Sequence, residues 1–200
     1  MAGKITKDTV LYVVKICAIL LVITMCVAAL LSFVNAVTKE PIAKNEAIKR
    51  EKALRALFDG AAAPIAEEIE GEYADKVNGF YAVKDNDTYI GYYADVSPVG
   101  FKGGVNLMVG LDVSGKVVNV YVLSHSETIG IGTKIEDRDF LDGFVGREDS
   151  LKYQKGAGAD QVGVIDGISG ATYSSKAVIV GVDLALQAYK SVCDGGNCNE

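Results

Sequence analysis

Residues Ile16 to Thr38 form a run of 23 without a formal charge, bounded by Lys15 and Lys39. About 20 apolar residues rising 1.5 Å each cross a hydrocarbon core of roughly 30 Å, so the run predicts a single transmembrane helix over 16–38. The competing reading is a cleaved signal peptide, because Val34-Asn35-Ala36 spaces small residues like a cleavage site. Such peptides carry a shorter apolar core, about 7 to 15 residues, which favours an uncleaved anchor. Residues 1–15 then form the N-terminal segment of a single-pass chain, cytoplasmic if the domain beyond the helix lies outside.

Charge divides the rest. Up to residue 55 there are nine Lys/Arg and four Asp/Glu (net +5), and beyond it eleven and twenty-two (net −11). An acidic domain on a basic stem argues against nucleic acid, whose phosphates need cationic partners. The stem suits membrane lipid with anionic headgroups. Lys4, Lys7 and Lys15 precede the apolar run, whereas Lys39, Lys44, Lys49, Arg50, Lys52 and Arg55 follow it. By the positive-inside count the following domain faces the cytoplasm, although long domains cross largely regardless of flanking charge. Cys17 and Cys26 read as small apolar residues of the helix. Cys193 and Cys198 bracket Asp194-Gly195-Gly196-Asn197, a tail (191–200) able to close a small disulfide ring in an oxidising compartment. Two cysteines do not make a metal site, and no metal is expected.

Along the chain, Thr38 and Pro41 read as a helix restart, followed by a Lys/Glu-rich stretch with Ala47, Leu54, Leu57 and Phe58 at helical spacing. Residues 39–78 are thus expected to be a helical stem and connection, broken at Asp59-Gly60, with the acidic run from Glu67 to Glu72 solvated. Strand patterns occupy Phe80–Val83 and Tyr89–Val96, a hairpin. A second hairpin joins Val105, Leu107, Val109, Leu111 and Val113 to Lys116–Ser124 through Ser114-Gly115. Residues 124–163 are irregular, with seven glycines from Gly130 onward, and so long an irregular stretch points to function. From Ser174 to Lys190, Val178, Val182, Ala185, Leu186 and Tyr189 share a helical face. The expected fold class is α+β: a transmembrane helix, then a domain over 79–190 with an antiparallel sheet and a packed C-terminal helix.

Asp166-Gly167-Ile168-Ser169-Gly170-Ala171-Thr172 stands just before that helix. Small residues allow close backbone approach, and free amides at a helix start favour an anion. The ordinary alternative is that Thr172 or Ser174 is only a helix cap. The pattern Asp-x-x-Ser-Gly-Ala-Thr resembles the flavinylation signature of the RnfG and NqrC family, which comprises one small subunit from each of the Rnf and Nqr respiratory complexes. A second segment, Leu123 to Ile135, resembles that family's His-x-Glu-Thr-Pro-Gly-Leu-Gly, with Ile129 and Ile131 in place of Pro and Leu. Gly100-Phe101-Lys102-Gly103 and Met108 to Asp112 resemble its strand region, extending the likeness over roughly 91–189.

The resemblance implies flavin mononucleotide (FMN) joined covalently, by a phosphoester, to Thr172. It implies FMN contacts from Ser169, Gly170, Ala171, Tyr173, Ser174, His125, Glu127, Thr128, Gly130 and Gly132. A separate flavin transferase, using FAD and a metal ion, would make the bond and recognise Asp166, Ser169, Gly170 and Ala171. No catalytic residue is implied, and the lone His125 is not read as a base. Gly130-Ile131-Gly132 lacks the third glycine of a dinucleotide loop.

The implied role is a flavin carrier in a membrane complex that couples ferredoxin/NAD electron transfer to Na+ or H+ translocation. Its partners would be the other membrane and iron-sulfur subunits of an Rnf complex. The short length is similar to the Rnf member. Competing classes are an NqrC-like carrier, a flavin-free scaffold and an anchored extracytoplasmic binding protein. Covalent retention of flavin and the Cys193/Cys198 pair favour an extracytoplasmic domain, against the charge count.

Overall fold

The computed structural model describes residues 7–71, 73–86, 88–154 and 163–194, with side chains from residue 11 to 192 within those ranges. The expected Cys193/Cys198 ring lies outside the described side chains. The chain divides into two units, Met1–Ile48 and Lys49–Glu200.

Helix α1 spans Lys7–Leu57. It runs through Pro41, where the sequence pattern suggests a restart. Proline removes one backbone donor, but Lys, Glu, Ala and Ile on both sides favour helix. Among the described residues it is the one helix long and apolar enough to cross a membrane. Leu20, Leu30, Phe33 and their neighbours are exposed. Apolar area left in water forgoes about 25 cal/mol per Å², so this surface calls for a lipid solvent.

In the second unit, five strands form an antiparallel meander in chain order: β1 (Ile65–Glu68), β2 (Val77–Asp85), β3 (Thr88–Val96), β4 (Val105–Leu111) and β5 (Val117–His125). Both expected hairpins are present, with Ala82 opposite Tyr92 and Val109 opposite Val120. The β4–β5 turn is wound on Asp112, whose Oδ1 accepts from the amides of Ser114 (2.8 Å) and Lys116 (2.9 Å). Strand β1 lies inside the stretch expected as a connection. It is a short, charged edge strand, with Glu67 paired to Lys84 of β2 at 2.7 Å. Charge at an edge serves to block further pairing, and it hides the strand from hydropathy.

Period-two alternation sends Phe80, Leu107, Val109 and Leu111 to one face, where Val178, Val182, Ala185 and Leu186 of helix α3 (Thr172–Asp194) pack on them. The other face holds Val83, Tyr93 and Met108, covered by Ala53, Leu57 and Phe58. The end of α1 therefore belongs to the sheet's core, although sequence spacing assigns it to a stem. Gly110 makes room for it, since a Cβ there would stand 3.2 Å from Leu57 Cβ. The Arg50 guanidinium meets buried Asp95 at 2.5 Å, and Asn119 donates to the Ala56 carbonyl at 2.7 Å.

Residues 124–154, the described part of the stretch expected to be irregular, carry short elements: a 3-10 turn at Gly132–Glu136, α2 (Arg138–Leu141), a further 3-10 turn at Asp142–Phe144, and β6 (Lys152–Gln154). Strand β6 pairs in parallel with β7 (Val164–Asp166). Ile135, Leu141 and Phe144 anchor the stretch in the core.

Because Leu57 is 3% exposed, Leu57→Ala should cost about 2–4 kcal/mol by lost burial and a cavity. Leu31→Ala, on the exposed apolar run, should leave stability of the sheet domain unchanged. Denaturant unfolding of the detergent-solubilised chain checks this, and equal effects would remove Leu57 from the domain's core.

Candidate functional site

Val105 pairs with His125, so the β3–β4 connection and the end of β5 emerge at the same edge of the sheet. There the connection folds back on itself, with the Gly100 amide donating to the Gly103 carbonyl at 2.7 Å. After β5, the Thr128 carbonyl accepts from the amides of Ile131, Gly132 and Thr133 at 2.8–3.3 Å, winding residues 128–133 into a tight loop. The third component is the start of α3. Gly170 takes φ +83° in the turn before it, a conformation that suits a residue without Cβ.

One carboxylate joins all three. Glu127 is 6% exposed. Its Oε1 accepts from the Phe101 amide at 2.7 Å and the Lys102 amide at 3.3 Å, and its Oε2 accepts from the Ser174 hydroxyl at 2.5 Å. Burial opposes the charge. The hydrogen bonds from Ser174, Lys102 and Phe101, with the nearby His125, outweigh it and hold the carboxyl below its ordinary value of 4.5. Two glycines make the fit: a Cβ at Gly100 would stand 2.2 Å from Glu127 Oε1, and one at Gly132 would stand 2.7 Å from Glu127 Cβ.

These segments enclose an open cleft of about 350 Å³ lined by Phe101, Glu127, Thr128, Ile131, Gly132 and residues 170–174. The size lies at the small end of ligand pockets, roughly 300–1,000 Å³. Thr172 is the first residue of α3 and half-buried. The amides of Thr172, Tyr173 and Ser174 precede the first intrahelical bond, from Ser175 N–H to the Ala171 carbonyl. They are donors at the positive end of the helix dipole, a favourable place for phosphate. The hydroxyl that ties down the preceding turn is that of Ser175, which accepts from the Ile168 amide at 2.9 Å and donates to the Ala171 carbonyl at 3.0 Å. Among the described residues the Thr172 hydroxyl has no hydrogen-bond partner. A free hydroxyl, orphan amides, small residues and apolar walls fit a phosphate-bearing flavin.

Of the residues named from the sequence motifs, Glu127, Thr128, Gly132, Gly170, Ala171, Thr172, Tyr173 and Ser174 line this one cleft. His125, Gly130 and Ser169 do not line the cleft, nor does Asp166, which was expected only as a recognition residue for the transferase. His125 Nδ1 accepts from the Glu127 amide at 3.2 Å and Nε2 faces Glu136 at 3.1 Å, so both ring nitrogens are engaged in bracing the loop. Gly130 serves the loop itself, at φ +82°. Asp166 ends β7, and Ser169 is exposed. Phe101 and Ile131 line the cleft without having been expected there. Their signal was present, since Phe101 lies in the Gly100–Gly103 segment and Ile131 between two expected contacts. Among the described residues no cluster of three or more His, Cys, Asp or Glu side chains could hold a metal ion.

Residues 100–187 match the FMN-binding domain, and residues 13–57 match the RnfG N-terminal region. The G component of the Na(+)-translocating ferredoxin:NAD(+) oxidoreductase complex of Acetobacterium woodii is 29% identical over 85% of this chain and 86% of its own length. The G component of the ion-translocating oxidoreductase complex of Photorhabdus laumondii is 30% identical over 75% of this chain and 77% of its own. In fold, the chain is similar to the C component of the Na(+)-translocating NADH-quinone reductase from Parabacteroides distasonis, with TM-score 0.54, 18% identity, and coverage of 77% and 92%.

The depressed Glu127 value fixes a pH dependence. A carboxyl whose folded pKa lies below its unfolded value contributes stability above about 4.5 and loses it as pH falls through the folded value. Wild type should exceed Glu127→Gln in stability at neutral pH, and the gap should close as the solution is acidified below 4.5. Urea titrations across that range measure it; a gap that stays constant would contradict the charge-based account.

Proposed function

This chain belongs to the RnfG family of ion-translocating oxidoreductase complexes, and we propose that within such a complex it carries FMN joined by a phosphoester to Oγ1 of Thr172. It is the FMN-binding electron-transfer subunit, anchored by its N-terminal apolar helix and associated with the other subunits of the complex. When bound, FMN supplies the acceptance and release of electrons. The observation that carries the attachment reading is the unpartnered Thr172 hydroxyl on the wall of the cleft, all of whose lining residues fall inside the matched domain.

Each residue then has a physical task. The amides of residues 172–174 receive phosphate oxygens, while Gly170 and Ala171 let the ester lie close to the backbone. Glu127 holds the first turn of α3 against the Phe101–Lys102 amides and keeps the donors in place. A threonine hydroxyl is a weak nucleophile at neutral pH, and no base touches that of Thr172 among the described residues. The family resemblance implies that a separate flavin transferase, using FAD and a metal ion, makes the bond. The Thr172 oxygen bonds to the FMN phosphorus, the pyrophosphate bond to AMP breaks, AMP leaves, and the hydroxyl proton passes to a base of the transferase. Exposed Asp166 and Ser169 with Gly170 are what that enzyme reads.

Electrons pass between ferredoxin and NAD through membrane and iron-sulfur partner subunits, coupled to Na+ or H+ movement. The match of residues 13–57 supports this over the NADH-quinone reductase reading, which the likeness in fold alone favours. The flavin domain lies on the extracytoplasmic side, where covalent attachment prevents loss of a cofactor that could not be replaced. Anionic lipid contacts the basic stem.

With its hydroxyl free, Thr172→Ala should change stability by no more than about 0.5 kcal/mol. Coexpressed with a flavin transferase, it should lose all covalent flavin, read as fluorescence of the denatured chain. Retained flavin would move the attachment elsewhere. For orientation, a cysteine introduced at exposed Asp149 should react with a membrane-impermeant reagent in cells stripped of any outer barrier. Labelling confined to lysed cells would reverse the topology.

A further inference from the structure

Beyond Lys49 the aromatic rings are buried or half-buried, with two exceptions among the described residues: Phe101 is 64% exposed and Tyr173 67% exposed. These two touch each other, with ring centroids 5.9 Å apart and planes tilted by 40°. Both line the cleft, Phe101 from the β3–β4 connection and Tyr173 from the first turn of α3. Ile131, 49% exposed, adds apolar surface from the third segment.

The pair is not loosely hung. The Phe101 amide is held by Glu127 Oε1, and Ser174, next to Tyr173, is held by Oε2 of the same carboxylate. A protein that fixes the backbone beneath two large apolar rings and leaves the rings in solvent forgoes their burial. A flat apolar ligand returns it.

Resting on the assignment of FMN to Thr172, we propose that Phe101, Tyr173 and Ile131 form the subsite for the isoalloxazine ring. A ring clamped between two others needs two contact spacings of about 3.5 Å, roughly 7 Å in all, more than the pair offers. The flavin ring therefore lies over the outer surface of the pair. One of its faces rests on protein and the other stays open to an electron partner.

The test uses the full-length chain, flavinylated by coexpression with a transferase and held in detergent, with loading first measured by mass on the denatured protein. A tyrosine phenol in contact with a photoexcited flavin donates an electron and quenches it, which phenylalanine does not do. Tyr173→Phe should therefore lengthen the flavin fluorescence lifetime severalfold and leave the time-resolved rate of depolarisation unchanged. The double variant Phe101→Ser/Tyr173→Ser should lengthen the lifetime and also let the ring depolarise rapidly on its tether instead of with the domain.

A loaded double variant with wild-type lifetime and anisotropy overturns the subsite and leaves the rings as a contact for another protein of the complex. Should substitution at Tyr173 prevent loading, Phe101→Ser decides alone, because it lies outside the attachment segment. Faster depolarisation supports the subsite, and unchanged depolarisation overturns it. A wild-type chain with no covalent flavin would instead sink the attachment at Thr172, and the subsite with it.

Discussion

The cleft depends on the Glu127 carboxylate, which brings together backbone from the β3–β4 connection and a side chain from the first turn of α3. A carboxylate at 6% exposure is costly unless its oxygens are satisfied. Here two amides and a hydroxyl satisfy it, and removing any one leaves the charge poorly paired. The close approach dictates the local sequence, since neither Gly100 nor Gly132 has room for a Cβ beside it.

The rest of the domain holds that carboxylate's partners at fixed distances. Helix α3 is locked to the sheet through Val178, Val182, Ala185 and Leu186, and the opposite face is closed by Ala53, Leu57 and Phe58. With both faces covered, the edge where β4 begins and β5 ends is where the helix start meets loops. A helix start there has orphan amides, and a threonine beside them gains a hydroxyl with no structural duty. The proposed attachment at Thr172 is compatible with the fold because Ser175, not Thr172, ties the turn.

Much of this was legible in sequence where a physical period operates. The alternation of Val105, Leu107, Val109 and Leu111 and the helical stripe from Val178 to Leu186 both report burial on one face. The site motifs around Glu127 and Thr172 were legible through resemblance. Elements without a period were not. The edge strand Ile65–Glu68 is charged, the short turns between Gly132 and Phe144 span too few residues to repeat, and Pro41 is carried by a long helix. Phe101 stood in the Gly100–Gly103 segment, but its tie to Glu127 crosses 26 positions, so the segment alone did not say that it meets the cleft. The motif names His125 without showing what its ring meets, and in the fold its two nitrogens face Glu136 and the Glu127 amide.

The most direct measurement is the mass of the tryptic peptide from Gly156 to Lys176, isolated from the chain matured with a flavin transferase and fragmented to locate the added group. The expected result is the mass of FMN less one water, carried on Thr172. An unmodified peptide, or the same addition on Ser169, Tyr173, Ser174 or Ser175, would contradict the attachment on which this account of the site rests.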